Sequence, residues 1–109
     1  MKKQHKVKPI TPDEVTSGRK IPDEVIVAFN TLIEKNWDGE RSVIGQRDAI
    51  DEILRNFSGR IPPMTKDYIF DNHYLDVEGI FSNVGWKVTF DKPAYNETYE
   101  ATFTFRIKF

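Results

Sequence analysis

The chain contains no cysteine. That single absence excludes disulfides, iron–sulfur clusters, thiol catalysis and the usual structural zinc sites. No apolar run approaches the roughly eighteen residues of a membrane-spanning helix. The basic opening Met1-Lys2-Lys3-Gln4-His5-Lys6 is not followed by an apolar stretch, so a secretory signal is not expected and cytoplasmic location is the default. Histidine is scarce, with only His5 and His73. No glycine-rich phosphate loop and no nucleophile elbow is present. Asp71, His73 and Asp76 come nearest to a metal-ligand set, but a capping role at a helix start accounts for them without an ion. Neither a metal, a cofactor nor catalysis is expected.

What remains is the composition of one folded α+β domain. Of 109 residues, 39% are hydrophobic and 30% charged, with eight Phe, four Tyr and two Trp. That balance suits a packed core rather than a disordered chain. The net charge of −1 hides an uneven distribution. Residues 1–20 carry six Lys or Arg against Asp13 and Glu14, whereas residues 21–109 carry ten basic against fifteen acidic side chains. A basic, mostly extended N-terminal arm over 1–20 is therefore expected ahead of an acidic body over 21–109.

Local spacing assigns most elements of that body. Ile21-Pro22-Asp23-Glu24 starts a helix, because proline is tolerated at a helix start and two carboxylates favour the positive end of the dipole. Val25, Phe29, Leu32 and Ile33 recur at helical spacing until Asn36-Trp37-Asp38-Gly39 ends the run. Arg41-Ser42-Val43-Ile44 is short and β-branched, so it reads as a brief strand. Gln46–Phe57 repeats the helical pattern with Ala49, Ile50, Ile53 and Leu54, and Ser58-Gly59 stops it. Ile61-Pro62-Pro63-Met64 is a loop. Thr65-Lys66-Asp67 caps a short helix carrying Tyr68 and Ile69, and a further helix is expected from about Asn72 to Val84. Gly85 sits where a left-handed cap belongs.

At Gly85 the period changes to two. Trp86, Val88 and Phe90 alternate with polar residues, and after a turn over 91–97 so do Tyr99, Ala101, Phe103, Phe105, Ile107 and Phe109. An antiparallel C-terminal hairpin is predicted, its second strand twice as long as its first. The excess length requires a bulge, or pairing with Val43-Ile44, with Lys6–Ile10 or with another copy of the chain. A small three-stranded sheet is the expectation.

This order of elements resembles a winged-helix domain, with 72–84 as recognition helix and 86–109 as wing. The long Pro62-Pro63 connection departs from that pattern. Stretches such as Ile21-Pro22-Asp23-Glu24-Val25 and Gly85-Trp86-Lys87-Val88 are also similar to small proteins of tailed bacteriophages, a resemblance that implies source and class but no activity.

Two functional readings follow. The first is a non-catalytic protein-interaction or accessory module, recognising a protein partner or self-associating through a sheet edge. Its contact residues are Tyr95, Pro93 and Lys92 at the hairpin tip, with Trp37 and Tyr74, since aromatics offer large contact area at low entropic cost. The alternative is a nucleic-acid binder using Lys2, Lys3, Lys6 and Lys8 of the arm with Lys87 of the wing. Against it, Asp71–Gly85 contains no Lys or Arg and carries Asp71, Asp76 and Glu78.

Overall fold

The computed structural model describes residues 21–108. The arm, with Lys2, Lys3, Lys6 and Lys8, lies outside them, as does the strand pairing considered for Lys6–Ile10. Four helices and three strands follow in the order α1 (Asp23–Asn36), β1 (Arg41–Gly45), α2 (Gln46–Asn56), α3 (Lys66–Asp71), α4 (Glu78–Ser82), β2 (Trp86–Asp91) and β3 (Thr102–Ile107). The class is α+β with a small antiparallel sheet. Among the described residues no helix is long and apolar enough to cross a membrane.

The strands stand in the order β1-β3-β2, so the last strand is the central one. The strands are therefore not all part of the C-terminal hairpin, because β1 joins from between two helices. Ile44, Phe103 and Phe90 sit side by side across the sheet, as do Ser42, Phe105 and Val88. These residues face the helices. On the opposite face lie Val43, Thr104 and Thr89, then Arg41, Arg106 and Lys87. The one-in, one-out alternation of a half-buried antiparallel strand produces both rows.

Phenylalanine organises the core. Phe29 of α1 is fully buried, its ring centroid 5.2 Å from Phe103, 6.1 Å from Phe105 and 6.2 Å from Phe81. Phe81 of α4 meets Phe105 edge-on at 5.3 Å. Such tilted pairs contribute roughly 0.5–1.5 kcal/mol each beyond burial itself. Among the described residues Ser42 is the one buried polar side chain. Its hydroxyl donates to the Ile33 carbonyl at 2.9 Å, which satisfies an acceptor that the end of α1 leaves without an intrahelical partner.

Two expected elements are shorter than the side-chain spacing suggests. The helix over 72–84 contracts to α4, because the chain first closes α3 with a left-handed turn. His73 has φ 57°, its N–H donates to the Phe70 carbonyl and that of Tyr74 to the Ile69 carbonyl. This pair of bonds is the Schellman ending of a helix, here with histidine in the position glycine usually holds. Asp71 and His73 thus end one helix instead of starting another. Val77 and Phe81 are still buried, but Val84 is 72% exposed. The strand expected over 98–109, of which Phe109 lies outside the described residues, likewise contracts to β3. Phe103 and Phe105 face the core as expected, while Ile107, at the sheet's end, is 48% exposed.

Candidate functional site

The segment lost from the strand, 98–101, joins the expected turn to form a loop, 92–101, between β2 and β3. Its C-terminal base is committed to a helix. α2 begins after Gly45, which has no side chain to cap it, and the first N–H groups of a helix lack intrahelical partners. Residues far along the chain supply them. The Ala101 carbonyl accepts from the Gln46 N–H at 2.9 Å, and a Glu100 carboxylate oxygen accepts from the Arg47 N–H at 2.7 Å. A negative charge at this end also complements the helix dipole.

The other end of the loop is pinned by Tyr99. Its hydroxyl lies 3.0 Å from the Lys92 carbonyl and 3.2 Å from the Asp91 carboxylate. Desolvation, followed by the neighbouring Asp91 charge, raises the pKa of this phenol. At the tip the Glu97 N–H donates to the Ala94 carbonyl at 2.9 Å, and the Glu97 carboxylate accepts from the Ala94 N–H at 3.0 Å. Tyr95, within that turn, is entirely exposed at 105%. Among the described residues nothing covers it.

Between the loop and α2 runs a cleft of about 640 Å³, lined by Phe90, Lys92, Pro93 and Tyr99 on one side and by Arg47 and Ile50 on the other. Phe90 packs against Phe103, ring centroids 4.7 Å apart and planes tilted by 39°, yet remains 41% exposed. Of the predicted contact residues, Lys92 and Pro93 line this cleft, while Tyr95 stands outside it at the loop tip. Phe90 and Tyr99 join Lys92 and Pro93, although alternation assigns both to the buried faces of their strands. Only the contact of Glu100 and Ala101 with α2, invisible in local spacing, marks where the strand stops and the loop begins.

The other two predicted contact residues stand elsewhere. Trp37 follows α1 and pairs with Trp86, at the opposite end of β2 from the loop. Tyr74 is half-buried beside Tyr68, with ring centroids 5.9 Å apart, and burial raises its pKa.

Lys87, assigned above to nucleic-acid contact, has neighbours that the sequence does not announce. It lies opposite Arg106, which lies opposite Arg41, so three cations cross the outer face of the sheet in one row. Like charges directly opposite one another destabilise a sheet. Of the three, only Arg41 is in an ion pair among the described residues, with the Asp38 carboxylate at 4.0 Å. Beside the row, a depression of about 620 Å³ is lined by Gly39, Glu40, Lys87, Arg106, Ile107 and Lys108.

Among the described residues no group of three or more His, Asp or Glu side chains is placed to hold a metal ion. Compared with known protein families, curated proteins and solved structures, the chain matches none.

Proposed function

We propose that the protein is a non-catalytic interaction module that recognises a protein partner through loop 92–101. The observation that carries this reading is Tyr95, a complete aromatic side chain in water at the tip of a loop fixed at both ends and at its turn. Holding a loop in one shape lowers the entropy lost on binding, and an anchored tyrosine is a favoured interface residue. Phe90, Pro93 and Tyr99 extend the apolar contact toward α2, and Lys92 adds a charge at its rim. The outer edge of β2 offers a second mode, the addition of a partner strand. On the other side of the sheet, β1 is less available. Asn36 donates to its Val43 carbonyl, and Trp37 bridges to Ser42.

The expectation of a phage source, drawn from the sequence, makes host proteins the first partners to test. Tyr95→Ala should leave the melting temperature unchanged and reduce partner recovery in quantitative affinity capture at least tenfold. Unchanged recovery with an intact fold removes the loop from the interface.

A second reading is favoured by the cation row. The element order resembles that of a winged-helix domain, so nucleic acid is the natural alternative ligand. α4 has five residues and sits within the acidic segment Asp71–Gly85, which suits it poorly to a phosphate groove. The outer face of the sheet would make the contact instead, through Arg41, Arg106 and Lys87. Mobility shift across a salt series tests this. Binding that weakens steeply with salt and is lost in Arg106→Glu supports it, and the absence of any shift at low salt removes it.

A further inference from the structure

The two tryptophans of this chain stand at one place. Trp37 follows the last turn of α1 and is held by an antiparallel bridge to Ser42. Trp86 opens β2 directly after Gly85, whose φ of 109° turns the chain into the sheet. Their ring centroids are 5.9 Å apart and their planes meet at 77°. Two indoles set this way form the walls of a corner. Ile33, one helical turn before Trp37, is its buried floor, and Asn30 and Glu34, also one turn apart, form its rim. The resulting open groove has a volume of about 350 Å³.

Its electrostatics are one-sided. The face of an indole carries negative potential, and cations are attracted to it. The Glu34 carboxylate adds a full negative charge and has no ion-pair partner among the described residues. Among those residues no cation lies over either indole, and the one cation–π contact is Arg60 over Phe57. The groove therefore has an apolar floor, aromatic walls and a carboxylate, with no positive charge among the described residues to complement them.

We propose that this corner binds the side chain of an arginine presented by a partner polypeptide. A guanidinium is flat, so it stacks on one indole in an open groove while its edge donates two parallel hydrogen bonds to the Glu34 carboxylate. An ammonium is a compact, strongly hydrated charge and uses neither feature as fully. The site is separate from loop 92–101, so the two stand or fall independently.

Because Trp37 and Trp86 supply all the tryptophan fluorescence, the full-length protein reports on the groove directly. It is titrated with a short blocked Gly-Arg-Gly peptide and with the same peptide carrying citrulline or lysine. The arginine peptide should shift the emission saturably. The uncharged citrulline peptide should bind about 3- to 30-fold more weakly, the range that an exposed cation–π contact and an exposed ion pair supply together. Glu34→Gln, on the exposed face of α1, should weaken arginine binding several-fold without lowering the melting temperature, whereas Tyr95→Ala should leave arginine binding unchanged. Equal affinity for arginine and citrulline, or no shift with either, overturns the proposal. Tighter binding of lysine overturns the guanidinium assignment. An emission shift on raising protein concentration alone would make a second copy the occupant and refute a separate partner.

Discussion

Replacing Gly45 with alanine places a methyl carbon 2.7 Å from a Glu100 carboxylate oxygen. Backbone strain is not the difficulty, since Gly45 has φ −69° and ψ 144°, where any residue is at ease. The Glu100 carboxylate is the movable partner, so the clash is relieved when it leaves the Arg47 N–H. The cost is then the cap itself, about 1 kcal/mol within a usual range of 0.5–2. Against this, alanine reduces the freedom of the unfolded chain and contributes about 0.4–1 kcal/mol. Gly45→Ala alone should therefore be close to neutral or mildly destabilising. Glu100→Ala should cost the full cap, about 1 kcal/mol, or roughly 4–8 °C in melting temperature for a domain of this size. The decisive comparison is between backgrounds. Once Glu100→Ala has removed the carboxylate, adding Gly45→Ala should stabilise by about 0.4–1 kcal/mol, giving a coupling of about 1 kcal/mol in the double-mutant cycle. Urea titrations of the four proteins measure it. A cycle additive to within about 0.3 kcal/mol would refute the long-range cap and the anchoring of the loop that depends on it.

Ser42→Ala should destabilise by about 1–3 kcal/mol in the same titrations, because it leaves the Ile33 carbonyl buried without its donor. Phe105→Ala should cost about 3–5 kcal/mol, whereas Val84→Lys, on an exposed side chain, should stay within about 0.5 kcal/mol of the parent. Arg106→Thr removes the middle cation of the row and should raise the melting temperature at low salt, by an amount that shrinks as salt screens the repulsion. Asp38 accepts hydrogen bonds from the N–H groups of Arg41 and Glu40, both at 2.8 Å. These bonds, the Arg41 one foremost, hold its carboxyl below the ordinary value of 3.8. A lowered folded-state pKa adds stability that is present above that value and is lost as pH falls through the folded one. The melting-temperature difference between wild type and Asp38→Asn should therefore be constant near neutrality and shrink below about pH 4.

Much of this fold is legible wherever local chemistry decides the outcome. Pro22 with Asp23 and Glu24 marks the start of α1, the β-branched Val43-Ile44 marks β1, and Gly85 marks the change of period. The misreadings share a physical cause. Asn72 and His73 resemble a helix start because Asn is a common N-cap, yet Asn and His also tolerate the left-handed region that ends one. The apolar spacing of Val77, Phe81 and Val84 then continues through a turn as though nothing had happened. Tyr99 and Ala101 continue the alternation of β3 equally well, but Glu100 and Ala101 are drawn off to the start of α2, a contact spanning 53 residues. At the candidate site, Lys92, Pro93 and Tyr95 are legible because a proline within a polar run seldom continues a strand. The pairing of Trp37 with Trp86 and the row Arg41–Arg106–Lys87 depend on strand register, which single-strand patterns do not encode.

The loop, the cation row and the tryptophan corner all follow from β3 standing between β1 and β2. Amide hydrogen exchange tests that placement most directly. A central strand bonds on both sides, so the N–H groups of Phe103, Thr104, Phe105 and Arg106 should all exchange slowly, in one block. Protection confined to alternate residues would make β3 an edge strand and contradict the arrangement.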